Sequence, residues 1–240
     1  MRRLLACGCL ALVAAKSSPY SFSLSTFSPE GRIQQIEFAG KCADNGPPCA
    51  VIVTSDGVVL AKAYKRASEA SLVVAGHSPH ILRVTEKCIA TYAGLPADFR
   101  ALVDAARELA IDLERRNGFA PSARALADAV GRRVQERTQR GGFRPYGCAL
   151  LLASPSHVYR IDPSGWVAPY RACAAGAGSA ALQTELAALV EEDDGVNTRR
   201  RLVELLQADG RGVAVAMVSE DAPVEIDVDA TGGGAVAPGG

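Results

Sequence analysis

Residues 49–63 read CAVIVTSDGVVLAKA: two apolar runs of strand length, Cys49 to Val53 and Gly57 to Ala63, separated by the turn-forming TSDG. An Asp-Gly pair suits a tight hairpin, because glycine accepts the backbone angles that close it. The spacing therefore predicts two antiparallel strands. Their near-continuous apolarity, without the alternation of a half-solvated strand, predicts burial on both faces. A sheet buried in this way needs a covering layer on each side, and the flanking sequence offers candidates for both.

Upstream, SPEGRIQQIEFAG (28–40) places a turn at Pro29 and Gly31 and sets Ile33 and Ile36 on one helical face, which predicts a short helix. The segment KCADNGPPC (41–49) is expected to break it through Asn45, Gly46, Pro47 and Pro48. Downstream, His80 to Val84 and Cys88 to Ala93 read as strands. Ala97 to Arg116 then carries Phe99, Leu102, Val103, Ala106, Leu109, Ala110 and Leu113 at threes and fours, an amphipathic helix. A second helix starts at a Ser122 cap, buries Leu126, Ala129, Val130 and Val134, and stops at Gly141 and Gly142.

Strand patterns return at Gly147 to Ala153, Val158 to Ile161 and Val167 to Ala172. Two weaker helices, 179–190 and 197–207, precede a last buried strand at Gly212 to Val218. Strands, two helices, strands, two helices and a strand, in that order, predict an α/β (α+β) sandwich, sheet on sheet with helices on each outer face. The end, TGGGAVAPGG, is expected to be a flexible tail.

Composition narrows the function. The 240 residues carry 26 Lys plus Arg against 26 Asp plus Glu, with 48% hydrophobic residues, so no basic footprint for nucleic acid is present. Seven cysteines without a C-x-x-C pair argue against a disulfide framework or zinc site. Leu4 to Ala15, at 12 residues the longest apolar stretch, falls short of the ~20 that a membrane-spanning helix needs. It follows Arg2 and Arg3 and ends in small residues, the layout of a signal peptide, and residues 1–19 are expected to lie outside the fold. The three histidines, His77, His80 and His157, lack the neighbours of a metal site. GAGSA (176–180) lacks the Lys and the Ser or Thr of a phosphate loop. Glu191 to Asp194 with Arg199 to Arg201 reads as solvated helix ends in preference to a docking patch.

The stretch YSFSLSTFSPEGRIQQIEFA (20–39) resembles the amino-terminal signature of proteasome alpha-type subunits. GVVLA (57–61), AGLPADFR (93–100), TQRGGFRPYGCALL (138–151), DPSG (162–165) and RACAAG (171–176) match the same family in order, and YSFSLSTFSP with TQRGGFRPYG most resembles its second alpha type. The resemblance implies the four-layer αββα fold of N-terminal nucleophile hydrolases, over a domain spanning 20–229. Within it, 20–41 would hold gate and first helix, and 230–240 the tail. It also implies a heteroheptameric alpha ring with other alpha and beta subunits as partners, activators docking through their carboxyl-terminal tails, no cofactor, and a cytoplasmic and nuclear location. The signal-like start leaves export open.

By the same resemblance, Tyr20, Ser21, Phe22, Pro29 and Gly31 would form the gate and reverse turn, Ile33, Gln35, Glu37 and Phe38 a helix at the ring's rim, and His80 the activator pocket. Catalytic beta-type relatives use an amino-terminal Thr assisted by an Asp and a Lys. Registering the hairpin on Gly57 puts Pro47, Ala63 and His80 at those positions. Neither proline nor alanine can do that work, so threonine peptidase chemistry is not expected. Two alternatives stay open: a hydrolase using a processed Cys49, and a divergent or exported paralogue acting as a protein-binding module.

Overall fold

The computed structural model describes residues 26–65, 80–192, 195–207, 211–220 and 225–228. Its hairpin is the one expected: β1 (Cys49–Thr54) pairs with β2 (Gly57–Tyr64) in antiparallel register from Cys49 opposite Lys62 to Thr54 opposite Gly57. Gly57 has φ +140°, and a Cβ there would strike the Val218 carbonyl, so the turn requires glycine. The second hairpin joins β3 (Ile81–Thr85) to β4 (Cys88–Gly94).

Two long helices follow, α2 (Pro96–Asn117) and α3 (Ala123–Gln139), after α1 (Gln34–Asp44) at the start. Pro96 opens α2, where its missing N–H costs nothing, and Gly118 ends it at φ 79° with its N–H on the Glu114 carbonyl. Ser122 caps α3, its Oγ accepting the Ala125 N–H at 3.2 Å. Next come β5 (Cys148–Ala153), β6 (Val158–Ile161), β7 (Val167–Tyr170), β8 (Ala172–Ala175), α4 (Ser179–Glu192), α5 (Gly195–Leu206), β9 (Gly212–Val218) and β10 (Glu225–Val228).

The strands form two five-stranded sheets of antiparallel pairs, ordered β10-β9-β2-β1-β8 and β3-β4-β5-β6-β7. Alternation along each strand sends its side chains to two cores. Val51, Val58 and Leu60 meet Ile89 and Leu151 between the sheets. Ile52, Val59 and Ala61 face Leu186, Leu189, Leu202 and Leu206 of α4 and α5, while Tyr92, Leu150 and Leu152 face Phe99, Leu102 and Val130 of α2 and α3. Each such fully buried side chain contributes roughly 1.5–3 kcal/mol. This is the expected αββα sandwich.

Three expectations change in detail. Ile33, expected on the first helix's apolar face, is the extended residue that precedes it, at φ −100° and ψ 101°; the helix ends at Asp44, where the expected turn chemistry of Asn45 begins. The run 167–172 is not one strand: β7 ends at Tyr170, Arg171 turns the corner, and β8 crosses to the other sheet beside β1. The four-residue strand β10 is an element that the sequence pattern does not predict. The extension 1–19, the tail 230–240 and the acidic pair Asp193 and Asp194 lie outside the described residues.

Candidate functional site: a closed corner and an N-terminal turn

The site's frame is the corner where α1 passes into β1. Gly46 is buried there, and a Cβ on it would fall on the Gly94 backbone nitrogen; a Cβ on Gly94, at φ +113°, would meet the Gly147 carbonyl just as closely. The Gly46 carbonyl accepts the Ala177 N–H at 2.8 Å, and the Pro48 carbonyl accepts the Ala63 N–H at 2.9 Å. Backbone thus packs on backbone, which only glycine permits.

The three positions where the beta-type nucleophile, acid and lysine would stand are not gathered into a site. Pro47 is exposed and offers only its carbonyl. Ala63 is buried in the outer core with α4 and α5, on the opposite face of β2 from the inter-sheet corner. His80 leads into β3, half-buried, its ring stacked on Tyr64 at 4.2 Å and its carbonyl accepting the Thr91 hydroxyl at 3.0 Å. The charge that does reach Pro47 belongs to Lys62, only 1% exposed, whose Nζ donates to the Tyr92 carbonyl at 2.6 Å and the Pro47 carbonyl at 3.4 Å. The sequence held a signal for it: a lone cation within a strand otherwise apolar on both faces.

Cys49 fares no better as a nucleophile. Its side chain is fully buried, and burial pushes the thiol up to about 11, with the Lys62 charge opposing that rise only in part. The thiolate is the reactive form, so this sulfur stays protonated at neutral pH. Cys49 is also held on both sides, by Lys62 of β2 and Ala175 of β8.

A second group of residues fixes the far side of the corner. Asp98, at the start of α2, receives both Arg144 terminal nitrogens at 2.6 and 2.8 Å and the Gly147 N–H at 2.7 Å. Burial alone would raise this carboxyl's pKa, but the Arg144 fork and the Gly147 N–H outweigh it and hold the pKa below the usual range. Arg137 adds a bond to the Tyr146 hydroxyl at 3.2 Å and lies over that ring. Two sequence stretches that looked independent, AGLPADFR and TQRGGFRPYG, are therefore the two halves of one ion pair.

The N-terminal stretch approaches α1 through a tight turn. Ser28 accepts the Gly31 N–H at 2.8 Å and donates its own N–H to the Arg32 carbonyl at 2.8 Å, with exposed Pro29 and Glu30 between and Gly31 at φ 75°. Proline presets the turn and glycine closes it. Ile33 is the extended residue before α1; Gln35 is half-buried, Glu37 and Phe38 are exposed, and Ala39 and Ala43 are buried on the helix's seat. Arg32 and Glu37 pair at 3.4 Å. Tyr20, Ser21 and Phe22 lie outside the described residues. Among the described residues no cluster of three His, Cys, Asp or Glu side chains could hold a metal, and no helix is long and apolar enough to cross a membrane.

The sequence that builds this sandwich is similar to that of known proteins. Residues 43–208 match the family described as Proteasome subunit, and residues 20–41 match the N-terminal signature of the proteasome's A-type subunits. The chain belongs to the proteasome subunit family, in its alpha-type branch. It is 34% identical to "Proteasome subunit alpha type-2" of Caenorhabditis elegans over 75% of this chain and 80% of the relative. It is 37% identical to "Probable proteasome subunit alpha type-2" of Schizosaccharomyces pombe, over 75% and 76%, and 37% identical to "Proteasome subunit alpha type-2" of Saccharomyces cerevisiae, over 70% and 68%.

Proposed function

We propose that this chain is a non-catalytic subunit of a proteasome alpha ring, which gates substrate access to the core particle and docks activators for ubiquitin-dependent and other protein degradation. The observation that carries the reading is the N-terminal signature segment, which enters the fold through the Ser28–Arg32 turn and feeds directly into α1. In this reading Tyr20, Ser21, Phe22, Pro29 and Gly31 belong to the gate and its reverse turn. Ile33, at the entry to α1, and Gln35, Glu37 and Phe38 on it face the ring's rim. The buried, protonated Cys49 and the positions of Pro47 and Ala63 support a scaffolding role over hydrolysis. The partners are other alpha and beta subunits, in cytoplasm and nucleus, and activators that insert their carboxyl-terminal tails.

The gate is tested in the assembled particle. Removing residues 1–27 is expected to raise basal hydrolysis of a small fluorogenic peptide without an activator, because the turn and α1 remain while the closing segment is lost. Unchanged basal hydrolysis in an intact particle contradicts the gating role. At the proposed activator pocket, a neutral imidazole at His80 gives one hydrogen-bond donor and no charge where a lysine would give an ammonium. A carboxylate-tailed peptide is expected to bind the His80→Lys particle more tightly at neutral pH. Equal affinity for the two particles rules His80 out as the pocket's weak point.

A further inference from the structure

We propose that Lys62 is an internal tether, an ammonium that fastens the loop between α1 and β1 to strand β4 and thereby sets the seat of α1. The register places Lys62 opposite Cys49, the first residue after that loop, and strand alternation puts its side chain on the face it shares with Val58 and Leu60, between the sheets. From there Nζ reaches the Tyr92 carbonyl of β4 at 2.6 Å, the Pro47 carbonyl of the loop at 3.4 Å, and the Tyr92 ring, whose centroid is 4.0 Å away. An ammonium has three donors, and here each meets an acceptor: two carbonyls and one aromatic face.

Burying a lysine is costly, so its presence calls for a return. Among the described residues no carboxylate pairs with Lys62, so it is not half of a buried salt bridge; its acceptors are two backbone carbonyls from segments 45 residues apart in sequence, Pro47 and Tyr92 (92 − 47). Elsewhere the loop is held by backbone and by buried Pro48: Gly46 packs against Gly94 and accepts the Ala177 N–H, and the Pro48 carbonyl accepts the Ala63 N–H. Removing the ammonium takes this donor from the Pro47 and Tyr92 carbonyls, and the loop loses its hydrogen-bonded link to β4, keeping only the packing of Gly46 on Gly94. Burial depresses the pKa of Lys62. The tether is read on the single chain and stands independently of the ring assignment; where that assignment holds, it also steadies the helix that carries the gate segment.

The test is hydrogen–deuterium exchange on the full chain, comparing the parent with Lys62→Met, which keeps length and apolar volume but donates nothing. Met at this position is expected to leave the fold intact and to speed exchange of amides in 42–46 and at Ala177 by about tenfold, with the β2–β9 amides unchanged. Unchanged protection in 42–46, or the same acceleration across the whole chain, overturns the proposal. Should the variant not fold, the unaltered chain decides by NMR with 15N-labelled lysine. A slowly exchanging Lys62 Nζ signal with a through-space contact to the Tyr92 ring is expected, and a solvent-exchanging Nζ without that contact overturns it.

Discussion

Asp98 shows what a single residue can decide in this protein. Its carboxylate closes three hydrogen bonds at once, two to Arg144 and one to the Gly147 N–H, and so joins the start of α2 to the loop that leads into β5. Asp98→Asn keeps the shape but loses the charge, and is expected to cost about 2 kcal/mol at pH 7, as for a hydrogen bond to a charged group. The folded pKa lies below the unfolded one, so this stabilisation is fully present above roughly pH 4 and drains away as pH falls through the lowered folded value. Denaturant melts of parent and variant should therefore converge in acid; a gap that persists undiminished at pH 2 contradicts the ion-pair account. Neither this pair nor the Lys62 contacts can be read from the sequence. A sequence shows that a charge sits in an apolar run, but not which carbonyl, 15 or 30 residues away, or which guanidinium, 46 away, the fold brings to it.

Elements are more readable than their connections. The hairpin at 49–63, the stripe of α2 and the Ser122 cap all rest on local periodicity and local turn chemistry, and each takes the form its residues predict. The passage from β7 to β8 is different, because a continuous apolar run looks the same whether it stays in one sheet or crosses at Arg171 to another. The end of α1 is local in the same sense as the hairpin: turn chemistry from Asn45 stops it after Asp44, and Gly40 within it costs only about 1 kcal/mol of helix propensity. Gly46, read as turn chemistry alone, proves to be a packing requirement as well. Gly46→Ala would press a methyl group into the Gly94 backbone, and is expected to lower stability by about 3 kcal/mol, the upper end of overpacking costs. A thermal melt checks this, and a variant as stable as the parent contradicts the close approach of α1's end to β4.

At the scale of the whole molecule, the four layers enclose a closely packed corner. Cys49 is sealed in β1, Ala63 is turned towards α4 and α5, and Lys62 spans the space between the sheets. The element order alone leads to the sandwich, whereas the expectation of no threonine peptidase chemistry comes only from setting residue types against the family's pattern. Large apolar side chains stay in solvent on the isolated chain, among them Phe27 at 67% exposed, Phe119 at 67% and Trp166 at 56%. A ring subunit would carry such surface to its neighbours. The most direct test of the central claim is native size separation of a cell extract, with mass spectrometry following this chain and its amino-terminal peptide. The account predicts co-migration with a large particle that contains other alpha and beta subunits; the chain running only as a small species without them would contradict it.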